Sequence, residues 1–271
     1  MLGRLQNFIN REDEYSPKLS VRNSVQRVYN SISDKLGDRS WFKELSQYYR
    51  GMGWEEFWVR YTLGRMEQDK RWSEKERTSE SAIRDYYSST DYFLLRQVYF
   101  RRKDSFHHVL KYLKKKDAAL CEYGCGIAPA TSWLSQRLPS SVQFTGVDIP
   151  CPTFEFAKWR NRKRKNVEFI SPPLGSHYPL TKNYDVILCH DVFEHLPNPY
   201  EVAEHLIAHL KAGGILMCDF VYAPGGANLE TSAKLREKTL KLLESELEPV
   251  IPIDPKKQGA EFGLYRKRLT N

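Results

Sequence analysis

The chain has 271 residues, of which 41% are hydrophobic and 28% charged, and its formal net charge is +8 at pH 7. This composition is that of a soluble globular protein with one large domain, or one ordinary domain and an appendage. No apolar run reaches the roughly 20 residues that cross a bilayer, and the first residues lack the apolar core of a secretory signal. Five cysteines without metal-ligand spacing predict reduced thiols and a cytoplasmic protein.

The first third of the chain has the apolar spacing of helices and no strand-like alternation. Trp41, Leu45 and Tyr48 share one predicted helical face, and a glycine break follows them. The polar stretch 67–80 predicts a surface connection. We therefore expect residues 1–88 to form a helical extension or cap on a second domain.

The larger domain is predicted over residues 89–271. It opens with a helix that starts at Ser89, and residues 104–116 predict one more helix. After Lys116, short apolar runs alternate with helical segments, as buried parallel strands with crossover helices do. The seven predicted strands are 118–123, 142–148, 167–170, 184–190, 213–220, 249–253 and 261–268. The expected fold is α/β, a doubly wound seven-stranded, mostly parallel, Rossmann-like sheet whose last two strands form a hairpin-like pair.

The sharpest local pattern follows the first predicted strand, which ends in Glu122 before a Gly-x-Gly turn. Glycine is required at Gly124 and Gly126 because a Cβ there would strain the turn or collide with a ligand. Asp148 ends the second strand, 22 residues after Gly126, where a carboxylate can accept hydrogen bonds from both hydroxyls of a ribose. The pattern predicts a nucleoside-bearing cofactor at the carboxyl edge of the sheet.

Four successive segments, EYGCGIAP, FTGVDIP, YDVILCHDVFEHLPNP and LKAGGILMCDF, resemble the motifs of class I S-adenosylmethionine-dependent methyltransferases. The similarity is to the small-molecule, ubiquinone-pathway-like group. It implies S-adenosylmethionine as the cofactor, with Glu122 on the methionine amino group and Asp148 on the ribose. The cofactor-binding residues that the resemblance implies are Glu122, Tyr123, Gly124, Cys125, Gly126, Asp148, Ile149 and His190.

Titratable groups are concentrated after the fourth predicted strand. Methyl transfer from a sulfonium requires alignment of donor and acceptor, and a hydroxyl acceptor must also lose a proton. His190 and His195 are candidates for the base, and the catalytic candidates are His190, Asp191 and His195. The segment is also similar to the metal motif of ubiquinone-pathway O-methyltransferases, which implies Asp191, Glu194 and His195 as ligands of a divalent ion. We favour catalysis without a metal, because Glu-His-Leu-Pro-Asn-Pro also occurs in members of the class that use none.

Aromatic and basic residues upstream of the glycine turn predict the acceptor site. The segment before the first strand often covers the cofactor in this class, and here it offers a set that favours a planar or lipophilic acceptor. Arg84 and the aromatic residues between Trp41 and Trp58 could contribute to the same cavity. The substrate-binding candidates are Tyr86, Tyr87, Tyr92 and Arg96.

The expected function is methyl transfer to a small-molecule acceptor, at oxygen. An RNA-modifying methyltransferase is the first alternative, because residues 158–165 hold six cations in eight positions, but nucleic acid is not favoured as a partner. A catalytically idle, cofactor-binding scaffold protein is the second alternative. Nothing in the pattern indicates an oligomeric state.

Overall fold

The computed structural model describes residues 40–74, 79–101, 106–223, 228–257 and 261–269. The predicted extension is therefore described from residue 40 onward, and its first 39 residues lie outside the described part. The helices that precede the sheet are α1 (Ser40–Tyr48), α2 (Trp54–Glu74), α3 (Glu80–Ser88), α4 (Tyr92–Phe100) and the short α5 (His107–Leu110).

Strands and helices alternate in the rest of the chain, and the seven predicted strands are confirmed. The strands are β1 (Ala119–Tyr123), β2 (Gln143–Val147), β3 (Val167–Ile170), β4 (Tyr184–Cys189), β5 (Leu210–Cys218), β6 (Leu247–Ile251) and β7 (Gly263–Lys267). The helices among them are α6 (Pro129–Leu134), α7 (Pro152–Asn161), α8 (Pro199–Ala208) and α9 (Glu230–Glu246), with a short 3₁₀ turn at Phe193–His195.

The strands form one sheet in the order β3-β2-β1-β4-β5-β7-β6. The first five in this order are parallel, whereas β7 runs antiparallel to both β5 and β6. The chain reverses its winding between β1 and β4, and such a switch point leaves a crevice beyond the carboxyl ends of the two strands. The doubly wound, mostly parallel fold and its terminal antiparallel pair are confirmed.

Buried residues cover both faces of the sheet and also tie the helical extension to it. One large cluster includes Ile187 and Leu206, and a second includes Leu120 and Val186. A third cluster is formed by the aromatic faces of α1, α2 and α4, together with Phe156 of α7. The extension is thus packed against the sheet domain rather than tethered beside it.

Two predicted segments differ in the structure. The polar stretch 67–80 was expected as a surface connection, but α2 continues through it to Glu74, and residues 75–78 lie outside the described part. Glu67 and Arg71 form an ion pair one helical turn apart, and Gln68 is buried, so polar composition concealed a continuing helix.

The helix expected over residues 104–116 is confined to the four residues of α5, and residues 104 and 105 lie outside the described part. Lys111 caps the helix, and its N–H donates to the carbonyl of Val109, so the helix ends before the three lysines 114–116. Among the described helices, we find none with the length and apolar character that a membrane crossing requires.

Candidate active site

Four neighbouring parallel strands end at the same level of the sheet. Tyr123, the last residue of β1, is paired with Val147 of β2 and with Cys189 of β4, and Cys189 is paired with Cys218 of β5. The next residue on each strand therefore emerges at one edge. These residues are Gly124, Asp148, His190 and Asp219.

The turn after β1 has no space for side chains at either glycine. Gly124 has a φ of +67°, and a Cβ on it would lie 2.2 Å from Cγ2 of Val192. Gly126 has a φ of +52°, and its Cβ would lie 2.2 Å from Oε1 of Gln97. Both the left-handed backbone and the close approach of neighbours require glycine here, as the sequence predicted.

Glu122 is buried, and its carboxylate holds the helix that follows the turn. Its two oxygens accept hydrogen bonds from the backbone N–H groups of Ala130 and Thr131, at 3.1 and 2.7 Å. Burial raises the pKa of Glu122, although these hydrogen bonds oppose the shift. The structure thus gives Glu122 a role in bracing the first turn of α6, and its contact with a methionine amino group stays a prediction.

Asp148 joins the ends of β1 and β2. One carboxylate oxygen accepts a hydrogen bond from the N–H of Gly126 at 2.6 Å, and the other accepts from the N–H of Ile149 at 2.7 Å. Desolvation raises the pKa of Asp148 to about 6, while the two hydrogen bonds lower it. Asp148 is half-buried at the sheet edge, and its contact with a ribose diol stays a prediction.

Gln97 belongs to this site and was missed in the sequence. It projects from α4, and its Oε1 accepts a hydrogen bond from the N–H of Ile127 at 3.1 Å. The carboxamide therefore lies directly on the glycine turn. No motif marks Gln97, because the contact is made between residues 30 positions apart and depends on how α4 packs on the domain.

The acceptor side of the edge is formed by residues that follow β4 and β5. Nδ1 of His190 lies 3.4 Å from Oδ2 of Asp219, and the imidazole stacks on the ring of Phe262. Asp191 has a φ of +55°, and its N–H donates to Oδ1 of Asp219 at 2.7 Å. Asp219 is a second residue that sequence reasoning missed, although its position directly after an apolar strand could have indicated it.

Asp191 forms an ion pair with Arg101. Desolvation, the largest single effect, favours the neutral acid, but Arg101, His190, His195 and Arg96 together outweigh it and lower the pKa of Asp191. Asp191 is therefore ionised at neutral pH and links the loop after β4 to the end of α4.

Glu194 is oriented into the protein instead. Its side chain is only 2% exposed, and burial, followed by the charges of Asp219 and Asp191, raises its pKa well above the ordinary value. His195 Nε2 lies 3.9 Å from its Oε1. Within the described residues, no three His, Cys, Asp or Glu side chains converge as metal ligands do, so Asp191, Glu194 and His195 are not assembled into the ion site of the alternative hypothesis.

The predicted substrate residues are distributed over two environments. Tyr87 reaches the chemical end of the site, since its ring packs edge-on against that of His195. Tyr86 and Tyr92 are buried, and Tyr92 packs against Tyr61 of α2. Arg96 is exposed on α4, and its charge contributes to the low pKa of Asp191. Tyr87 and Arg96 remain substrate candidates, whereas burial assigns Tyr86 and Tyr92 to packing.

Arg84 and the aromatic residues between Trp41 and Trp58 make their contacts elsewhere in the protein. Arg84 donates to the backbone carbonyls of Pro172 and Pro173, which fastens α3 to the segment after β3. Trp41 packs edge-on against Phe57 and Tyr99, so the aromatic residues form the core between the extension and α4. These contacts give the aromatic residues a packing role, and their lining of an acceptor cavity stays a prediction.

Several cations of the basic segment 158–165 make hydrogen bonds or ring contacts within the protein itself. Arg160 makes two hydrogen bonds to one carboxylate oxygen of Glu44, and Arg164 donates to the carbonyl of Ser132. Arg162 lies over a tryptophan ring. These contacts weaken the argument for a nucleic-acid surface, which depended on the charges being available together.

The chain was compared with known proteins. Residues 95–243, more than half of the chain, match the family described as "Methyltransferase domain". Two malonyl-[acyl-carrier protein] O-methyltransferases are similar, one from Halalkalibacterium halodurans (30% identity over 48% of this chain and 51% of the relative) and one from Bacillus cereus (31% identity over 43% of this chain and 44% of the relative). The chain therefore matches about half the length of these curated relatives.

Two solved structures are similar to parts of this chain. The StiE O-MT structure has 17% identity and a TM-score of 0.45 over 65% of this chain and 74% of its own. The N-methyltransferase NodS from Bradyrhizobium japonicum has 14% identity and a TM-score of 0.42 over 59% of this chain and 93% of its own. The family match covers the seven-stranded sheet from its first strand to β5, so the chain belongs to the methyltransferase-domain family, and its fold is that of the class I S-adenosylmethionine-dependent methyltransferases.

Proposed function

We propose that the protein transfers the methyl group of S-adenosylmethionine to an oxygen atom of a small-molecule acceptor. The observation that carries the proposal is the common level of the four strand ends, which brings the cofactor residues Gly124 and Asp148 beside His190. The names of both curated relatives, each an O-methyltransferase, support oxygen as the acceptor atom.

The residues at the edge fit the cofactor. Gly124 and Gly126 give the turn its left-handed backbone against Val192 and Gln97, and Asp148 presents acceptor oxygens suited to a ribose diol. When bound, the cofactor supplies an electrophilic methyl group on a sulfonium. Gln97, which lies on the same turn, is positioned to exclude water from the donor side.

The protein's contribution to the chemical step is alignment and proton management. An in-line displacement gains most from holding the acceptor oxygen against the methyl carbon. A hydroxyl acceptor must also lose its proton, and the imidazole of His190, next to the switch point of the sheet, is the base we assign. His195, one turn further along the loop and against Tyr87, lines the acceptor side.

Two features argue against the alternatives. Four of the six cations of residues 158–165, namely Lys158, Arg160, Arg162 and Arg164, make contacts within the protein, which disfavours RNA as the substrate. The buried Glu194 and the His190–Asp219 contact concentrate polar groups where a scaffold protein needs none, which disfavours an idle cofactor-binding role. All five cysteines are free and buried, which supports our proposal of a cytoplasmic location.

The test is transfer of label from methyl-labelled S-adenosylmethionine to two pools, a low-mass metabolite extract and total RNA from the same cells. We expect label in the low-mass pool alone, with loss of that label in Asp148→Asn. Label in RNA, or methylated nitrogen in the low-mass products, would contradict the proposal. No transfer to either pool, despite tight binding of S-adenosylhomocysteine, would favour the scaffold alternative.

A further inference from the structure

We propose that Asp219 is a positioning residue that holds the imidazole of His190 in the tautomer with its proton on Nδ1, leaving Nε2 free to receive the proton of the acceptor. The inference rests on the proposed function, because it assigns the proton transfer that an oxygen acceptor with a hydroxyl group requires. It concerns a residue at the end of β5, a strand to which neither the glycine turn nor the cofactor contacts belong.

The backbone register places the two residues together. Cys189 and Cys218 are paired partners in neighbouring parallel strands, so His190 and Asp219 leave the sheet side by side. The N–H of Asp219 donates to the carbonyl of Cys189 at 3.3 Å, which continues the ladder by one step and keeps the pair in register. The contact is thus built on strands rather than on mobile loops, which favours precise placement.

The carboxylate of Asp219 has two distinct neighbours. Its Oδ1 accepts the N–H of Asp191 at 2.7 Å, and its Oδ2 lies 3.4 Å from Nδ1 of His190. An N–H fixed by the backbone can only donate, so Oδ1 is committed and Oδ2 is turned toward the imidazole. A carboxylate is an acceptor only, and Nδ1 must therefore carry the proton that lies between them.

One further contact, with the ring of Phe262, restricts the imidazole of His190. The ring of Phe262 stacks on that of His190, with a centroid distance of 5.8 Å and an interplanar angle of 18°. Asp219 is 12% exposed and His190 26% exposed, so the carboxylate lies deeper than the imidazole it orients. With Nδ1 held on the protein side, Nε2 lies on the opposite edge of the ring.

Glu194 supplies a supporting detail. It is buried close enough to Asp219 for the negative charge of Asp219 to raise the pKa of Glu194, after the larger effect of desolvation. Burial thus favours the neutral form of Glu194. The carboxylate of Asp219 lies beside His190, where a negative charge stabilises an imidazolium that forms during the reaction.

The step balances as follows. The lone pair of the acceptor oxygen forms the new C–O bond, while the bond between the methyl carbon and sulfur breaks and its electrons remain on sulfur. The proton of the acceptor hydroxyl moves to Nε2 of His190, and the O–H bonding electrons stay on the oxygen. His190 becomes a cation next to Asp219 and returns the proton to water afterwards.

The experiment is ¹⁵N NMR of the full chain, labelled on histidine and saturated with S-adenosylhomocysteine, which distinguishes the imidazole tautomers without knowledge of the acceptor. His190→Gln identifies the His190 signals among those of the seven histidines. We expect wild-type His190 to carry its proton on Nδ1. In Asp219→Asn the amide oxygen stays on the N–H of Asp191, the NH₂ group faces Nδ1, and the tautomer changes to Nε2–H.

The matched control is Asp254→Asn, a carboxylate that accepts the N–H of Lys256 in a surface turn and should leave the His190 signals unchanged. Wild-type His190 with its proton on Nε2 overturns the proposal even if the Asp219 variant does not fold. A folded Asp219→Asn protein with an unchanged tautomer overturns it as well. Neither result depends on methyl transfer, so failure of this proposal is distinct from failure of the proposed function.

Discussion

The carboxylate of Asp148 accepts a hydrogen bond from the backbone N–H of Gly126 at 2.6 Å, so the end of β2 is tied to the glycine turn of β1. The same carboxylate has a pKa raised to about 6 by desolvation. Both facts bear on cofactor binding, because a protonated carboxyl loses half of its capacity to accept hydrogen bonds from a ribose diol.

We expect S-adenosylhomocysteine to bind more weakly as the pH falls from 7 to 5. The raised pKa means that Asp148 gains a proton in the free protein through pH 6, and the neutral form binds ribose less well. At pH 8, Asp148→Asn should cost roughly 1.5–3 kcal/mol of binding free energy, the usual size for charge-assisted hydrogen bonds. Calorimetric titration at several pH values measures both effects.

Asp148→Asn should also bind S-adenosylhomocysteine with little pH dependence between pH 5 and pH 7, since the carboxyl group that titrates is gone. Glu168→Gln, in the adjacent strand β3, removes a carboxylate that pairs with Lys182 outside the site and should keep the wild-type profile. An equal pH dependence in wild type and Asp148→Asn would assign the titration to another group.

Gly126 and Gln97 should show strongly non-additive behaviour in a double-mutant cycle. In Gly126→Ala the new Cβ would lie 2.2 Å from Gln97 Oε1, which must be displaced from the turn. In a Gln97→Ala background this collision is absent, and only the strain of a left-handed alanine remains, about 1 kcal/mol. The Gly126→Ala change should therefore lower the affinity for S-adenosylhomocysteine more in the wild-type protein than in the Gln97→Ala background.

Gly175→Ala is the matched control for the strain of an alanine with a left-handed backbone. Its φ is +86°, but an added Cβ has nothing within 4 Å, so it tests the strain without the collision. It should lower the melting temperature slightly and leave cofactor affinity intact. Additive costs for Gly126→Ala and Gln97→Ala would show that the two residues do not interact.

Glu194→Gln should be well tolerated at pH 7, because burial favours the neutral form of Glu194 and glutamine has the same shape. A carboxyl group whose folded-state pKa is raised makes the folded protein less stable as pH rises above its ordinary, unfolded value. The stability of Glu194→Gln relative to wild type should therefore increase between pH 5 and pH 8. Thermal unfolding of both proteins across this range measures the difference.

The metal hypothesis makes the opposite prediction for the same variant. A neutral amide is a poor ligand, so loss of methyl transfer in folded Glu194→Gln, with inhibition of wild type by EDTA and recovery with Mg²⁺, would support an ion at Asp191, Glu194 and His195. We expect transfer to the low-mass pool to be insensitive to EDTA.

Arg160→Ala should lower the melting temperature, because it removes the link between α7 and Glu44 of α1. The pair is partly exposed, so the loss should be small, up to about 1 kcal/mol. Lys163→Ala, in the same basic segment, is the control and should change stability less. Tight, salt-sensitive RNA binding that both variants weaken would instead restore the nucleic-acid hypothesis.

The sheet and its cofactor edge could be predicted because each depends on local sequence. Buried parallel strands are continuous apolar runs, and the turn at Gly124 is recognisable from the acid before it and the glycine spacing. Asp148 follows from its position at the end of the second strand. For these features, the residues that form the structure are close together in the chain.

The parts that were wrong or missed depend on contacts between distant segments. Gln97 acquires its role from the packing of α4 on a turn 30 residues later, and Asp219 from the pairing of β4 with β5. The arginines of 158–165 looked like an open basic patch because Glu44, the partner of Arg160, is 116 residues away. Polar residues 67–74 looked like a loop because the burial of Gln68 among them is set by the fold.

The distance between Glu44 and Arg160 also has a consequence for synthesis. Helices α1 and α2 leave the ribosome well before α7, whose Phe156 completes their aromatic cluster. Until then, the apolar rings of the extension have no sheet domain to cover them, and exposed apolar surface of this kind favours association with other chains. The nascent protein should therefore be most prone to aggregation after its N-terminal third has emerged, and packing of that third should be a late event of folding.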